Sequence, residues 1–237
     1  MAFNSLLNKL HFFQSKDDAA KHIKACSEAV DGPVIVAFAN AHAFNLAHKD
    51  NSFLADLLFS DVLLNDGVGV DILCRLNKIQ GGENLNGTDF IPFYLSGYTQ
   101  ENTLSLYGTS DKALHDSIPK FEEMGPRVIN SVNGFHDDDY YVEAFLQKPS
   151  DIVLLAMGMP KQERVARLLK SVNHKVVIIC GGAIVDFTGG NVRRAPEWVR
   201  NLKSEWVFRL LSEPRRLFHR YIFGNLSFLY RAFIETK

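Results

Sequence analysis

Six short runs rich in β-branched and aromatic residues, at 33–39, 61–65, 103–107, 127–132, 151–157 and 175–180, recur through this chain. Most are apolar at nearly every position. An exposed strand alternates; a strand covered on both faces does not, so these runs read as parallel strands inside a layered core. Helix-length amphipathic segments separate them, at 15–30, 43–59, 69–77, 88–98, 110–124, 137–147 and 160–172. Strands alternating with helices predict an α/β protein with a doubly wound, mainly parallel sheet.

The alternation stops after Phe187. Gly189 and Gly190 break the chain, and only helix-like segments follow, at 197–203, 204–212 and 214–233. This predicts a core over 1–190 and a helical appendage over 191–237. From Asn191 to Lys237 the sequence holds ten Lys/Arg against four Asp/Glu, although the whole chain is near neutral at −1. The near-zero total selects no nucleic acid partner. The local excess points to phosphate or an anionic membrane surface. The last segment joins Leu217, Phe218, Tyr221, Ile222, Leu226, Phe228, Leu229 and Phe233 to Arg215, Arg216, Arg220 and Arg231, the composition of an interfacial amphipathic helix. A helix docked on its own core with solvated arginines has the same composition.

Other classes are disfavoured. The three cysteines, Cys26, Cys74 and Cys180, are far apart and show no zinc or disulfide spacing. The start MAFNSLLNKLHFF lacks the basic segment and cleavage site of a secretory leader, and no apolar run is long enough to span a bilayer.

Five constellations fall at the carboxyl ends of the expected strands, where open α/β sheets bind ligands. Asp66, followed by Gly67-Val68-Gly69, suits a general base with glycines that let a ligand approach, or a helix cap. Asn40 can orient a sugar hydroxyl or acetamido group, or cap the next helix; His42 and His48 read as surface or packing residues. Gly108, Thr109 and Ser110 offer N–H groups and hydroxyls to a diphosphate, or form an ordinary capped turn. Gly158 to Glu163 open a helix at the same edge, at Pro160. Gly181-Gly182 precede Asp186, which can accept from a nucleobase imide or ribose hydroxyl. The GxGxxG dinucleotide fingerprint is missing, which counts against a NAD-type oxidoreductase.

These residues resemble the WecG/TagA/CpsF glycosyltransferase family. The matching pieces are Asn40, DVLLNDGVGVD (61–71), NGTDF (86–90), LYGTS (106–110), GMPKQE (158–163), GGAIVDFTGG (181–190), RRAPEWV (193–199) and EWVFRLLSEPRRLFHRY (205–221). They run in family order over about four-fifths of the chain, and the late block is the most specific.

The resemblance implies a Rossmann-like core with an appendage that reaches the membrane and closes over the site. It implies transfer of a sugar from a UDP-sugar to a sugar on a polyprenyl diphosphate, for cell-surface polysaccharide or teichoic acid, with inversion and no metal or other cofactor. The base falls on Asp66, the side-chain amide near the reacting sugars on Gln162, and the nucleoside contact on Asp186. The arginines that meet diphosphate fall on Arg209 and Arg216, with Arg220 as a further candidate. Gly108 and Thr109 suit the leaving group. The implied place is the inner face of the cell membrane, as a peripheral protein and possible homo-oligomer. Two positions depart from the family's usual residues: Phe38 stands where Thr is common, and Asn84 where a basic residue is common. Both lie in the sugar region, so the donor sugar, acceptor sugar and linkage stay open. A UDP-binding regulatory module without turnover is the alternative.

Overall fold

The computed structural model describes residues 2–201 and 205–235. Its centre is one six-stranded, all-parallel sheet: β1 (Val34–Ala39), β2 (Val62–Asn65), β3 (Thr103–Gly108), β4 (Arg127–Val132), β5 (Ile152–Ala156) and β6 (Val177–Cys180). The spatial order is β2-β1-β6-β5-β3-β4. All six expected strands form. Side chains alternate between the two faces, so Ile35, Ala37 and Ala39 enter one apolar cluster, while Val36 and Phe38 enter the other. Only β4, at one edge, is partly exposed along its length. At the other edge His11 makes a parallel bridge to Leu64 beside β2.

Helices cover both faces. They are α1 (Ala2–Lys9), α2 (Lys16–Ala29), α3 (Ala41–Lys49), α4 (Asn51–Phe59), α5 (Val68–Leu76), α6 (Gly87–Leu95), α7 (Asp111–Met124), α8 (Asp138–Gln147), α9 (Lys161–Leu169) and α10 (Ile184–Thr188). Five of the starts are set by side-chain caps: Ser15, Asn40, Asp50, Asn86 and Ser110 each accept from a backbone N–H in the first turn. The Asp50 cap splits the single helix expected over 43–59 into α3 and α4. The sequence reading also placed no element before Ser15, yet α1 forms there and buries Phe3, Leu6 and Leu7.

The tail comprises α11 (Glu197–Asn201), α12 (Glu205–Ser212), α13 (Pro214–Phe218), a π-helical turn (His219–Phe223) and α14 (Gly224–Glu235). Arg194 and Asp89 form an ion pair that ties its start to α6. Asn45 Nδ2 donates to the Gly224 carbonyl at 2.7 Å, where the π-turn meets α14. The last helix packs on α1, α3 and α5. Phe228 and Ala232 are buried in the same apolar cluster as Phe3 and Phe44. Ring centroids lie 5.5 Å from Phe228 to Phe3 and 5.7 Å from Phe228 to Phe44. Gly69 makes this approach possible: a Cβ there would stand 3.0 Å from Ala41 Cβ and 3.4 Å from the Phe228 ring.

Candidate active site

A cleft of about 410 Å³ opens at the carboxyl ends of the strands. It lies across the crevice between β3 and β5, where one strand connects outward to β4 and the other back to β6. The strand ends bring Asn40, Asp66, Thr109, Gln162 and Asp186 to its wall, and the tail adds Arg209 and Arg220. Sequence reasoning named all seven. Gly108 does not line the cleft. It ends β3 at φ +139°, and a Cβ on it would stand 2.3 Å from the Ala156 carbonyl carbon. The neighbouring strand thus requires a glycine here. The side chain of Arg216 lies outside the described residues.

Asp66 and Asn40 form a unit. Asn40 Oδ1 accepts from the N–H groups of His42 and Ala43, both at 3.1 Å, which caps α3. That fixes the amide orientation, and its Nδ2 then donates to Asp66 Oδ2 at 3.1 Å. Asn40 is therefore a helix cap whose amide also reaches Asp66. Asp66 is no cap: the residue that precedes α5 is Gly67, at φ 87° and without a side-chain bond. Asn84 steadies this turn, accepting from Gly67 N–H at 2.7 Å. Gly69 serves the packing of α14 rather than ligand approach. Enclosure in the cleft raises the Asp66 carboxyl above the usual range; the Asn40 hydrogen bond and then Arg220 and Arg209 oppose that, while Asp89 adds to it.

The far half of the cleft carries a second acidic group. Thr109 sits in the left-handed region at φ 50°, and its hydroxyl donates to Asp186 in a short hydrogen bond. Thr109 carbonyl accepts from Gly134 N–H at 2.8 Å, which draws the loop after β4 over the site. The next residue, Phe135, lines the mouth with its ring 79% exposed. A planar base can stack on such a ring. Arg209 lies over the Phe187 ring at 5.2 Å, and Arg220 enters from the π-turn.

Residues 7–237 match the Glycosyl transferase WecG/TagA/CpsF family. The chain belongs to that family. It is similar to the N-acetylglucosaminyldiphosphoundecaprenol N-acetyl-beta-D-mannosaminyltransferase of Bacillus subtilis (strain 168). Identity there is 27% over 186 residues, covering 77% of this chain and 73% of the relative. A protein of the same name from Bacillus spizizenii (strain ATCC 23059 / NRRL B-14472 / W23) is 24% identical over 215 residues, covering 89% of this chain and 84% of its own.

Sequence reasoning did not place His42 or Phe135 in the cleft. His42 lines it rather than the surface. Burial, then the nearby Arg220 and Lys49, lower its imidazole to about 4, so it is neutral at physiological pH and able to hydrogen-bond without repelling the arginines. Phe38 supplies an apolar patch of wall near Asp66. Gln162 is almost wholly buried, and the structure engages both ends of its amide: Oε1 accepts from Gly182 N–H at 3.0 Å and Nε2 donates to Glu163 at 2.8 Å. His48, the other histidine read as a packing residue, pairs with Glu235 at 2.9 Å and so fastens α14 to α3.

Proposed function

We propose that the protein transfers a sugar from a UDP-sugar to a sugar borne on a polyprenyl diphosphate, with inversion, without a metal, and at a membrane surface. The observation that carries this reading is the Asp66–Asn40 pair at one side of the cleft, faced by Arg209 and Arg220 from the tail. Asp66 takes the proton of the acceptor hydroxyl as its oxygen attacks the anomeric carbon. The C1–O bond to the diphosphate breaks and UDP departs with the bonding pair. A single displacement from the face opposite UDP inverts the anomeric centre. The other carboxylate on the wall, Asp186, is engaged with Thr109 and suits the nucleoside.

The leaving diphosphate gathers charge, and preorganised donors at that point are worth most in an enclosed site. Arg209 and Arg220 present guanidinium groups suited to phosphate oxygens. Arg209 and Arg220 are the cations we assign to the task, both on the cleft wall. Among the described residues no helix is long and apolar enough to cross a membrane. The tail instead exposes Trp198, Leu211, Phe218, Phe223, Leu226, Tyr230 and Phe233 beside its basic residues. Such a surface suits peripheral binding to anionic lipid, on the side of the membrane that holds nucleotide sugars.

The relatives' names make N-acetylmannosamine the first donor sugar to test, and N-acetylglucosamine on a polyprenyl diphosphate the first acceptor. UDP release with these two substrates is the deciding measurement. Asp66→Asn should still bind UDP but lose about 10²–10⁴ in turnover, as for removal of a general base. UDP binding with no release by the unaltered protein, over a panel of donors and acceptors, would favour a regulatory UDP-binding role instead.

A further inference from the structure

Glu163 follows Gln162 on α9 and is 2% exposed. One of its oxygens, Oε1, accepts from Gln162 Nε2 at 2.8 Å; the other, Oε2, is buried with no hydrogen-bond partner. The orientation of the Gln162 amide is not arbitrary. Gly182 N–H can only donate, so the amide end it meets, at 3.0 Å, is the oxygen. The NH₂ end must face Glu163. One of its hydrogens is used there, and the second remains for the cleft that Gln162 lines.

We infer that Glu163 is a positioning residue for the transfer: it grips the Gln162 side chain so that the second amide hydrogen is held toward the reacting sugars. The inference rests on the transferase reading above. Packing gives no competing reason for a carboxyl here. Apart from Gln162, the other inward positions of α9, Val165, Ala166 and Leu169, are apolar. A buried acid with an unpartnered oxygen destabilises a fold, and an apolar side chain of similar size would suit the site better. Groups of this kind persist where function needs them, at the expense of stability.

The grip depends on pH. Burial pushes the Glu163 carboxyl up to about 7, while the Gln162 bond and its own backbone N–H lower it and Asp56 raises it. The groups facing it from neighbouring elements are few. Asp56 on α4 is paired with Arg167 at 3.1 Å. Cys180 on β6 is a buried thiol held well above its usual value, within 3.9 Å of the Gln162 carbonyl. On α8, Asp138 is held by Arg164, and Tyr141 lies under Lys161. The segments of β1 and β5 carry no titratable side chain. The carboxylate forms only as pH rises through about 7, and it binds the amide more firmly than the neutral acid does.

The test uses the full chain, labelled with ¹⁵N, with the Gln162 side-chain amide assigned by its loss in Gln162→Ala. In the unaltered protein those resonances should move with a midpoint near 7; in Glu163→Gln they should not. Glu163→Met should melt at a higher temperature yet turn over about 10–100-fold more slowly, with KM for the donor little changed, because a misplaced group costs rate rather than binding. Glu163→Gln keeps an acceptor for Gln162 and should regain most of that turnover. In a Gln162→Ala background, Glu163→Met should cost little more, since the two act as one unit. An amide indifferent to pH, full turnover by Glu163→Met, or fully additive losses would each overturn the inference. If the unaltered protein transfers nothing, the transferase reading fails, and the amide titration still decides whether Glu163 positions Gln162.

Discussion

Asn40 serves two functions, and two substitutions separate them. Asn40→Ala removes the acceptor for the His42 and Ala43 N–H groups and also the donor to Asp66. Loss of the cap should destabilise by about 1 kcal/mol, lowering Tm by about 2–4 °C for a chain of this size. Loss of the donor acts on the base. Burial already raises the Asp66 carboxyl and Asn40 opposes it, so removing Asn40 raises it further. On the proposed mechanism the active form is the carboxylate. The acid limb of the turnover–pH profile should therefore move to higher pH.

A hydrogen bond to a charged group is worth about 1.5–3 kcal/mol, which converts to about 10–100-fold in turnover on the acid side and little on the alkaline side, where the carboxylate forms regardless. Asn40→Asp keeps an equally good cap, so α3 and Tm should be nearly unchanged at neutral pH. It also sets a second carboxylate against Asp66, and two adjacent carboxylates resist joint ionisation. Its acid limb should move further than that of Asn40→Ala. Turnover by UDP release over a pH series, with melting curves in parallel, gives both readouts. A loss equal at every pH, or an Asn40→Asp variant with an unmoved limb, would show that Asn40 is a cap and nothing more.

Arg220→Ala should lower turnover by about 10²–10³, as for loss of one donor to a developing anion, and should also move the acid limb upward, since Arg220 lowers the Asp66 carboxyl. Vesicle co-sedimentation should fall only slightly, because one basic residue contributes about 1 kcal/mol at an anionic surface; proportionate loss of both would refute a role inside the cleft. Phe228→Ala should destabilise by about 3–5 kcal/mol in denaturant or thermal unfolding, because the ring is 1% exposed between Phe3 and Phe44; a loss under about 1 kcal/mol would mean that α14 is no part of the core. Turnover should persist in EDTA; loss restored by Mg²⁺ or Mn²⁺ would assign a metal to the leaving group.

The sheet was legible because its strands are covered on both faces, a condition that writes itself into the sequence as unbroken apolar runs. The cleft residues were legible for a related reason: ligand-facing side chains lie just beyond those runs, and the family motifs occupy the same places. What escaped depends on partners distant in sequence. The apolar face of α1 is closed by α3, α4 and α14, and α14 lies more than 200 residues away, so Phe3 and Leu6 have no local signal for burial. The Asp50 cap breaks an apolar pattern that continues on both sides of it. Gly108 reads identically whether a phosphate or the backbone of β5 needs the space; only the β3–β5 register decides. Glu163 looks like an ordinary first-turn acid until the setting of α9 turns it inward.

On the proposed mechanism two opposed effects meet at Asp66, burial and the charge of the tail arginines. Enclosing the carboxylate strips it of water and raises it toward the neutral form, which cannot act as a base. On the proposed mechanism, a wall made only of apolar residues would therefore disable Asp66. Arg209 and Arg220, both on the tail, pull in the other direction. Their placement comes from elements with different anchors. Arg209 on α12 rests on Phe187, while Arg220 is set by the π-turn whose end is fastened by Asn45 and by the buried Phe228 beyond it. The charge that would meet the departing diphosphate is thus the charge that keeps Asp66 able to accept a proton.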